Sequence, residues 1–317
     1  MDRTLLEAAF ADMLGSGTAR LDEPMAAHTT FRIGGPVDML VEPRSEGELR
    51  LAYARCRDLG ADVFTLGLGS NVLVADRGLR GVVVKVAGGF SGIRIDGGDG
   101  ALLHVEAGAS NAQVAEAACA AGLSGYEFAS GIPGTVGGAA VMNAGAYGGE
   151  FADVAASVRC LALDGTLVEV PAGKAGWGYR RSLMGEEDLV VVGAVLRLSP
   201  DRDGPRAIRE RMDDLARRRA DKQPLELPSA GSTFKRPEGF FAGKLVQDAG
   251  LRGFRVGGAQ VSEKHTGFVV NAGGATAEDV RRLIVEVRRR VRESSGVTLE
   301  PEVRMWGFEG PLEDGGS

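Results

Sequence analysis

Three glycine-bearing stretches are the first candidates for chemistry in this chain: TTFRIGGP (29–36), LGLGSNVLVAD (66–76) and SGIPGTVGGAAVMNAGAYGGE (130–150). Each can offer successive backbone N–H groups to an anion with no side chain in the way, a nest suited to phosphate oxygens. Taken singly, each is also what an ordinary tight loop looks like. Two familiar phosphate motifs fail on the residues themselves. Gly67-Leu-Gly69-Ser-Asn71 follows a β-like run, but Val72 stands where a dinucleotide fingerprint needs its third glycine, and another β-like run follows instead of a helix. Gly239-Phe-Phe-Ala-Gly243-Lys244 is one residue short of a P-loop, and Leu245 replaces its Ser/Thr. His28, His104 and His265 have no neighbouring metal-ligand set and no serine-hydrolase partners. Cys56, Cys119 and Cys160 show no C-x-x-C spacing and read as small buried apolar residues.

The elements that must carry these loops follow from caps and periodicity. A helix is expected over about 2–14, a strand over 37–43, and a helix from the Ser45/Glu48 capping pattern to Gly60. Short β-rich runs VFTLG, NVLVAD and GVVVKV complete a unit ending near residue 86. GIRID and ALLHVEAG read as strands joined by a turn at GGDG (97–100). Ser110 and Gln113 cap a helix ending at Gly122, and strands resume at SVRCLALD, GTLVEV and LVVVGAVLRLS (189–199). The polar DRDGPR (201–206) is the best boundary. Beyond it come a charged helix, the loop PLELPSAGSTFKRPEG, a short helix ending at Gly250 and the strand GFVVN. A helix over Ala277–Ser295 lies between Thr276 and Gly296, and VTLEPEVRMW closes as a strand. The fold class is α+β, with domains expected at 1–86, 87–203 and 204–317.

A net charge of -6 and a pI near 5.3 argue against nucleic-acid or anionic-membrane partners, though a local basic pocket for a small anion remains open. The N-terminus MDRTLLEAAFADMLG lacks the basic start, apolar run and cleavage site of a signal peptide. No uncharged apolar run approaches the roughly 20 residues that span a bilayer, so a cytoplasmic protein is expected.

In order, the three loops resemble those of the UDP-N-acetylenolpyruvoylglucosamine reductase family. The resemblance continues through GYRRS (178–182), KQP (222–224), PSAGSTFKRP (228–237), GKLVQDAGLRG (243–253), SEKHTGFVVN (262–271) and LEPEVR (299–304). It implies two FAD-binding subdomains of the vanillyl-alcohol-oxidase type, followed by a C-terminal α/β substrate-binding domain. Non-covalent FAD would be held by Arg32, Ile33 and Gly34, by Gly67, Gly69, Ser70, Asn71 and Val72, and by Gly131, Ile132, Gly134, Thr135, Gly137 and Gly138. The implied activity is that of an FAD-dependent oxidoreductase. With NADPH as co-substrate, it reduces UDP-N-acetylglucosamine enolpyruvate to UDP-N-acetylmuramate for peptidoglycan synthesis, hence for cell shape and division. A monomer or weak oligomer is expected.

Hydride addition to C3 of the enolpyruvyl group puts charge on C2 and its carboxylate, so the site needs a proton donor and stabilisers of an enol-like dianion. By resemblance Ser232 is the donor, Arg180 the active-site arginine, and Glu302 the third catalytic residue. Without the resemblance these would read as a turn-capping serine, a surface arginine beside Arg181, and an outward strand glutamate with Glu300 on the same face. Lys222 matches a lysine near the nucleotide diphosphate; Tyr179, Arg236, Lys264 and Asn271 are further substrate-site candidates. Arg236 stands where some members have Asn, and 199–222 is too short and helical for an insert carrying a capping tyrosine, so the chain resembles the shorter subtype. Two other readings are weighed beside this one: a covalent flavin oxidase on the same fold, for which His28 or Cys119 would be the attachment points, and a non-catalytic nucleotide-binding module.

Overall fold

Side-chain caps set where the helices begin. In the computed structural model, which describes residues 3–96 and 101–312, Ser45 Oγ accepts from the Glu48 N–H at the start of Glu46–Leu59, and Gly60 ends that helix at φ 61°. The Glu48 carboxylate accepts from the Arg44 N–H rather than from that of Ser45. Ser110/Gln113 and Thr276/Asp279 form full reciprocal capping boxes for Asn111–Ala120 and Ala277–Ser295. Gly296, at φ 73°, stops the latter. The helix Gly204–Lys222 has Pro205 in its first turn, where a missing N–H costs nothing. The N-terminal helix appears as Arg3–Ala9 and Ala11–Gly15. Bonds from Phe10 N to Leu6 O and from Leu14 N to Phe10 O cross the junction, and Leu6, Phe10 and Met13 are buried.

The chain divides into two compact units, neither continuous in sequence. The first takes the N-terminal stretch to Leu21, Met39–Leu68 and Gly81–Arg219. Its larger sheet has the order Leu167–Pro171, Ala155–Leu161, Val190–Arg197, Leu102–Glu106, Ile93–Asp96, antiparallel throughout. The central strand Val190–Arg197 is buried almost throughout, which is why its sequence is a continuous apolar run without alternation. The helix Val136–Met142 packs against this strand. A second pairing in this unit sets Val63–Leu66 parallel to residues 82–85. The expected turn at 97–100 lies outside the described residues.

The second unit gathers Asp22–Asp38, Gly69–Arg80 and the stretch from Ala220 onward. Its sheet runs Ser229–Ser232, Phe268–Asn271, Ala259–Val261, Arg255–Val256, covered by Ala277–Ser295 through Val280, Leu283, Ile284, Val287 and Val291. Arg304–Trp306 pairs in parallel with Val72–Val74. Two details depart from expectation. The serine loop contains a strand, Ser229–Ser232, whose register is broken before Ser232 by Gly231 at φ 74°. The C-terminal strand is only Arg304–Trp306, and 297–303 is irregular apart from a bridge between Phe234 and Pro301.

All three cysteines are free and buried, and burial pushes the Cys56 and Cys160 thiols up to about 12. Among the described residues no helix is long and apolar enough to cross a membrane. Thr276→Ala should cost about 1 kcal/mol of stability, read by urea denaturation, whereas Thr276→Ser should stay close to wild type.

Candidate active site

In the second unit four sequence-distant segments are tied together by hydrogen bonds onto main-chain carbonyls, two of them from side chains. The Thr30 N–H donates to Gly69 O (3.1 Å), and the Thr30 hydroxyl to Ser229 O (2.6 Å). Asn71 Nδ2 donates to Glu302 O (3.1 Å), while Asn71 O accepts from the Arg304 N–H (3.0 Å). The Glu302 N–H then donates to Thr233 O (2.8 Å), which places Glu302 beside the segment carrying Ser232. The bonds close a ring running from 30 to 69–71, to 302–304, to 233, back along the serine strand to 229, and so to 30. Ser232 is exposed and Glu302 half-buried.

Glu300 has a different fate, an ion pair with Lys235. Asn271 supports the first loop: its Nδ2 donates to Phe31 O (3.2 Å), and its Oδ1 accepts from the Gly273 and Ala275 N–H groups. Arg32 projects from a residue at φ 55°, beside buried Phe31 and Ile33. Arg236 lies over the Phe241 ring at 4.1 Å, on an exposed edge of the serine loop. Lys264 Nζ donates to Ala220 O (2.6 Å), and Lys222 is exposed at the helix end. Gly267, whose carbonyl accepts from the Thr233 N–H, donates its own N–H to His265 Nδ1 (3.1 Å).

In the first unit, the helix Val136–Met142 is the shared support. Thr135 caps its start, accepting from the Gly138 N–H, and Gly67 approaches the same threonine so closely that a Cβ there would lie 2.6 Å from Thr135 Oγ1. The sequence order SGIPGTVGG therefore opens this helix, and Gly67 lies against its cap. The other end holds Arg180. Trp177 Nε1 donates to Ala140 O (2.9 Å), Asn143 Nδ2 to Gly178 O (3.2 Å), and buried Ser182 to Val141 O (2.7 Å). Gly178 and Arg181 exchange backbone hydrogen bonds, so Tyr179 and Arg180 form the tip of a tight turn, with Arg180 at φ 56°. The Arg180 guanidinium lies over the Tyr179 ring at 5.2 Å. Arg181 pairs with Glu186 instead (2.5 Å).

The pattern of the UDP-N-acetylenolpyruvoylglucosamine reductase C-terminal domain matches residues 223–306, and that of an FAD binding domain matches 37–171. A reductase of that name from Syntrophomonas wolfei is 47% identical over 94% of this chain and 98% of its own length. One from Agathobacter rectalis is 50% identical over 90% and 93%. The chain belongs to the UDP-N-acetylenolpyruvoylglucosamine reductase family. A crystal structure of the reductase from Thermus caldophilus superposes with a TM-score of 0.77 at 35% identity, over 91% of this chain and 99% of that one. The fold is accordingly α+β, with an FAD binding domain and the family's C-terminal domain.

The residues present fit FAD. The polar groups on offer in the matching loops are hydroxyls, an amide and guanidinium groups suited to a diphosphate. Of the two residues the covalent-oxidase reading would turn to, His28 is half-buried and bonded to Glu23 (2.8 Å), and Cys119 is buried with its thiol on Pro205 O (3.4 Å). A further residue joins this loop without a sequence signal of its own: Arg219, whose stem lies against Gly131. No motif marks it, because it sits in a run of arginines.

Asn143→Ala removes a left-handed helix cap (φ 42°) and the bonds to Gly178 O and from the Ala152 N–H. It should cost about 1–3 kcal/mol and raise the KM of the carboxylate substrate with FAD affinity retained, by denaturation, kinetics and flavin titration. Burial, with the nearby Arg252 charge, holds the His265 imidazole below its usual 6.5. The stability it gives is thus present above 6.5 and lost as pH falls below it. Denaturation at pH about 7.5 and about 5.5 should show a larger loss for wild type than for His265→Phe.

Proposed function

We propose that this protein catalyses the NADPH-dependent, FAD-mediated reduction of UDP-N-acetylglucosamine enolpyruvate to UDP-N-acetylmuramate in the cytoplasm, supplying peptidoglycan synthesis and through it cell shape and division. The observation that carries the residue assignment is the Glu302 N–H bond to Thr233 O, which sets the expected third catalytic residue beside the expected proton donor. Residues 1–86 and 87–203 serve FAD, and 204–317 serve the UDP-sugar, with the chain acting as a monomer or weak oligomer.

FAD, when bound, carries hydride from NADPH to the enolpyruvyl double bond. The protein's task is to hold it through the loops at 32–34, 67–72 and 131–138 and to manage charge on the substrate. Once C3 has gained hydride, the electron pair spreads over C2 and the carboxylate. Arg180 grips the carboxylate oxygens, a match of planar fork to planar anion. The Ser232 hydroxyl gives its proton to C2; its O–H bond breaks as the C–H bond forms, and solvent restores the proton to the oxygen. A serine hydroxyl is a weak acid, so it serves only against a strongly basic carbon held close. Glu302 serves the enol-like dianion in one of two ways, as a hydrogen-bond donor if neutral or by helping to deliver the proton. Lys222 places a point charge by the diphosphate of the sugar nucleotide, with Tyr179, Arg236, Lys264 and Asn271 around the rest.

The division of labour predicts split half-reactions. Ser232→Ala should let NADPH bleach the bound flavin at the wild-type rate, while reoxidation by the enolpyruvyl substrate slows by about 10²–10⁴-fold. Stopped-flow absorbance separates the two steps, and near-normal turnover would remove Ser232 from the donor role.

A further inference from the structure

The helix Gly204–Lys222 carries six arginines, and five of them are matched by carboxylates: Arg206 with Glu210, Arg209 with Glu116, Arg211 with Glu127 and Asp201, and Arg217 and Arg218 with Asp214. Arg219 is the exception, making no ion pair or hydrogen bond among the described residues. It is also half-buried, whereas Arg217 and Arg218 are exposed. Burial pushes its guanidinium down from its ordinary value, opposed by the charge of Tyr147.

The position is specific. A Cβ on Gly131 would lie 3.3 Å from Arg219 Cδ and 3.5 Å from Nη1, so the arginine stem lies along the Gly131 backbone at the mouth of SGIPGTVGG. Any residue larger than glycine at 131 would press on that stem. A cation partly removed from water, with five donors and no anion of the protein to receive them, is costly unless another anion shares the site. Among the groups that loop is built to meet, a phosphoryl oxygen is the one that matches a planar fork.

We propose that Arg219 binds and positions a phosphoryl oxygen of the FAD diphosphate over the Gly131 backbone. This rests on the assignment of residues 131–138 to FAD, and deepens it by adding a side chain to a site otherwise drawn from backbone N–H groups. The same chemistry could come from the phosphates of NADPH or of the UDP-sugar, so the test separates the three sources.

The experiment titrates apoprotein with FAD and, in parallel, with riboflavin, which has the ring system but no phosphate, following flavin fluorescence. Arg219→Met keeps the apolar stem against Gly131, and Arg219→Lys keeps a charge without the fork; thermal denaturation checks that both fold. The expected result is an FAD Kd raised about 10- to 100-fold in the methionine variant, less in the lysine variant, with riboflavin affinity unchanged in both. An unchanged FAD Kd overturns the proposal; a rise in the KM for NADPH or for the UDP-sugar in its place would move Arg219 to that phosphate. Equal weakening toward riboflavin would also overturn it, by showing a disturbed loop. Failure of the wild-type protein to bind FAD would sink the functional reading itself, a separate outcome.

Discussion

The ring of hydrogen bonds onto main-chain carbonyls in the second unit, closed by the Thr30 hydroxyl and the Asn71 amide, is the constraint on which its site depends. Thr30, Gly69, Asn71, Glu302 and Thr233 come from four separate stretches of sequence, and each is held by a bond to the next. Such bonds fix segments to within a few tenths of an ångström, which is the tolerance a proton donor requires. The packing beneath them leaves no slack. A Cβ on Gly35 would overlap Asp76 O, one on Gly69 would overlap His28 O, and one on Gly78 would overlap Pro36 O. Two loops that look on paper like ligand cradles are therefore first of all each other's packing partner. Asn71 is the clearest case, since a residue expected to serve the cofactor also holds the main chain of the expected catalytic glutamate.

The first unit solves a similar problem with one short helix. Val136–Met142 takes the glycine segment at its beginning and the Arg180 turn at its end, so the two are separated by a rigid spacer of fixed length. The helix is anchored in turn on the buried central strand Val190–Arg197. Two non-glycine residues here, Asn143 and Arg180, take positive φ. Asparagine tolerates that region well, but arginine does so at a cost. That cost is borne by the three anchors on either side of the turn, and it aims the guanidinium away from the path an extended backbone would give it.

Where local chemistry decides structure, the sequence was legible. The caps at Ser45, Ser110 and Thr276 and the stops at Gly60 and Gly296 are each set by residues within one turn, and each appears where it was expected. The serine strand was missed because Gly231 and the small residues around it have a loop's composition, and only pairing with Phe268–Asn271 makes them a strand. The C-terminal strand was drawn too long for the converse reason: VTLEPEV alternates like a strand but meets a ladder only from Arg304. That error matters for the site. Strand parity put Glu300 and Glu302 on one face, yet the backbone there is irregular, with Glu300 paired to Lys235 and Glu302 half-buried. Parity cannot separate two carboxylates once the ladder that enforces it is absent. The family motifs, by contrast, marked Ser232, Arg180 and Glu302 without reference to any element.

The 48 glycines can now be sorted by what each one avoids. At 35, 69 and 78 the obstacle is the protein's own main chain, and at 67 it is the Thr135 hydroxyl, so those glycines would be required whether or not a ligand ever arrived. A glycine-rich loop is thus poor evidence for a phosphate until its self-contacts have been subtracted. Gly131 survives the subtraction, because the atoms a side chain there would meet are those of Arg219, a flexible cation rather than a wall. The protein has kept that approach open on the backbone side while matching the other five arginines of the helix with carboxylates. A surface helix has no need to single out one of its cations in this way. A helix that supplies one to a bound anion does.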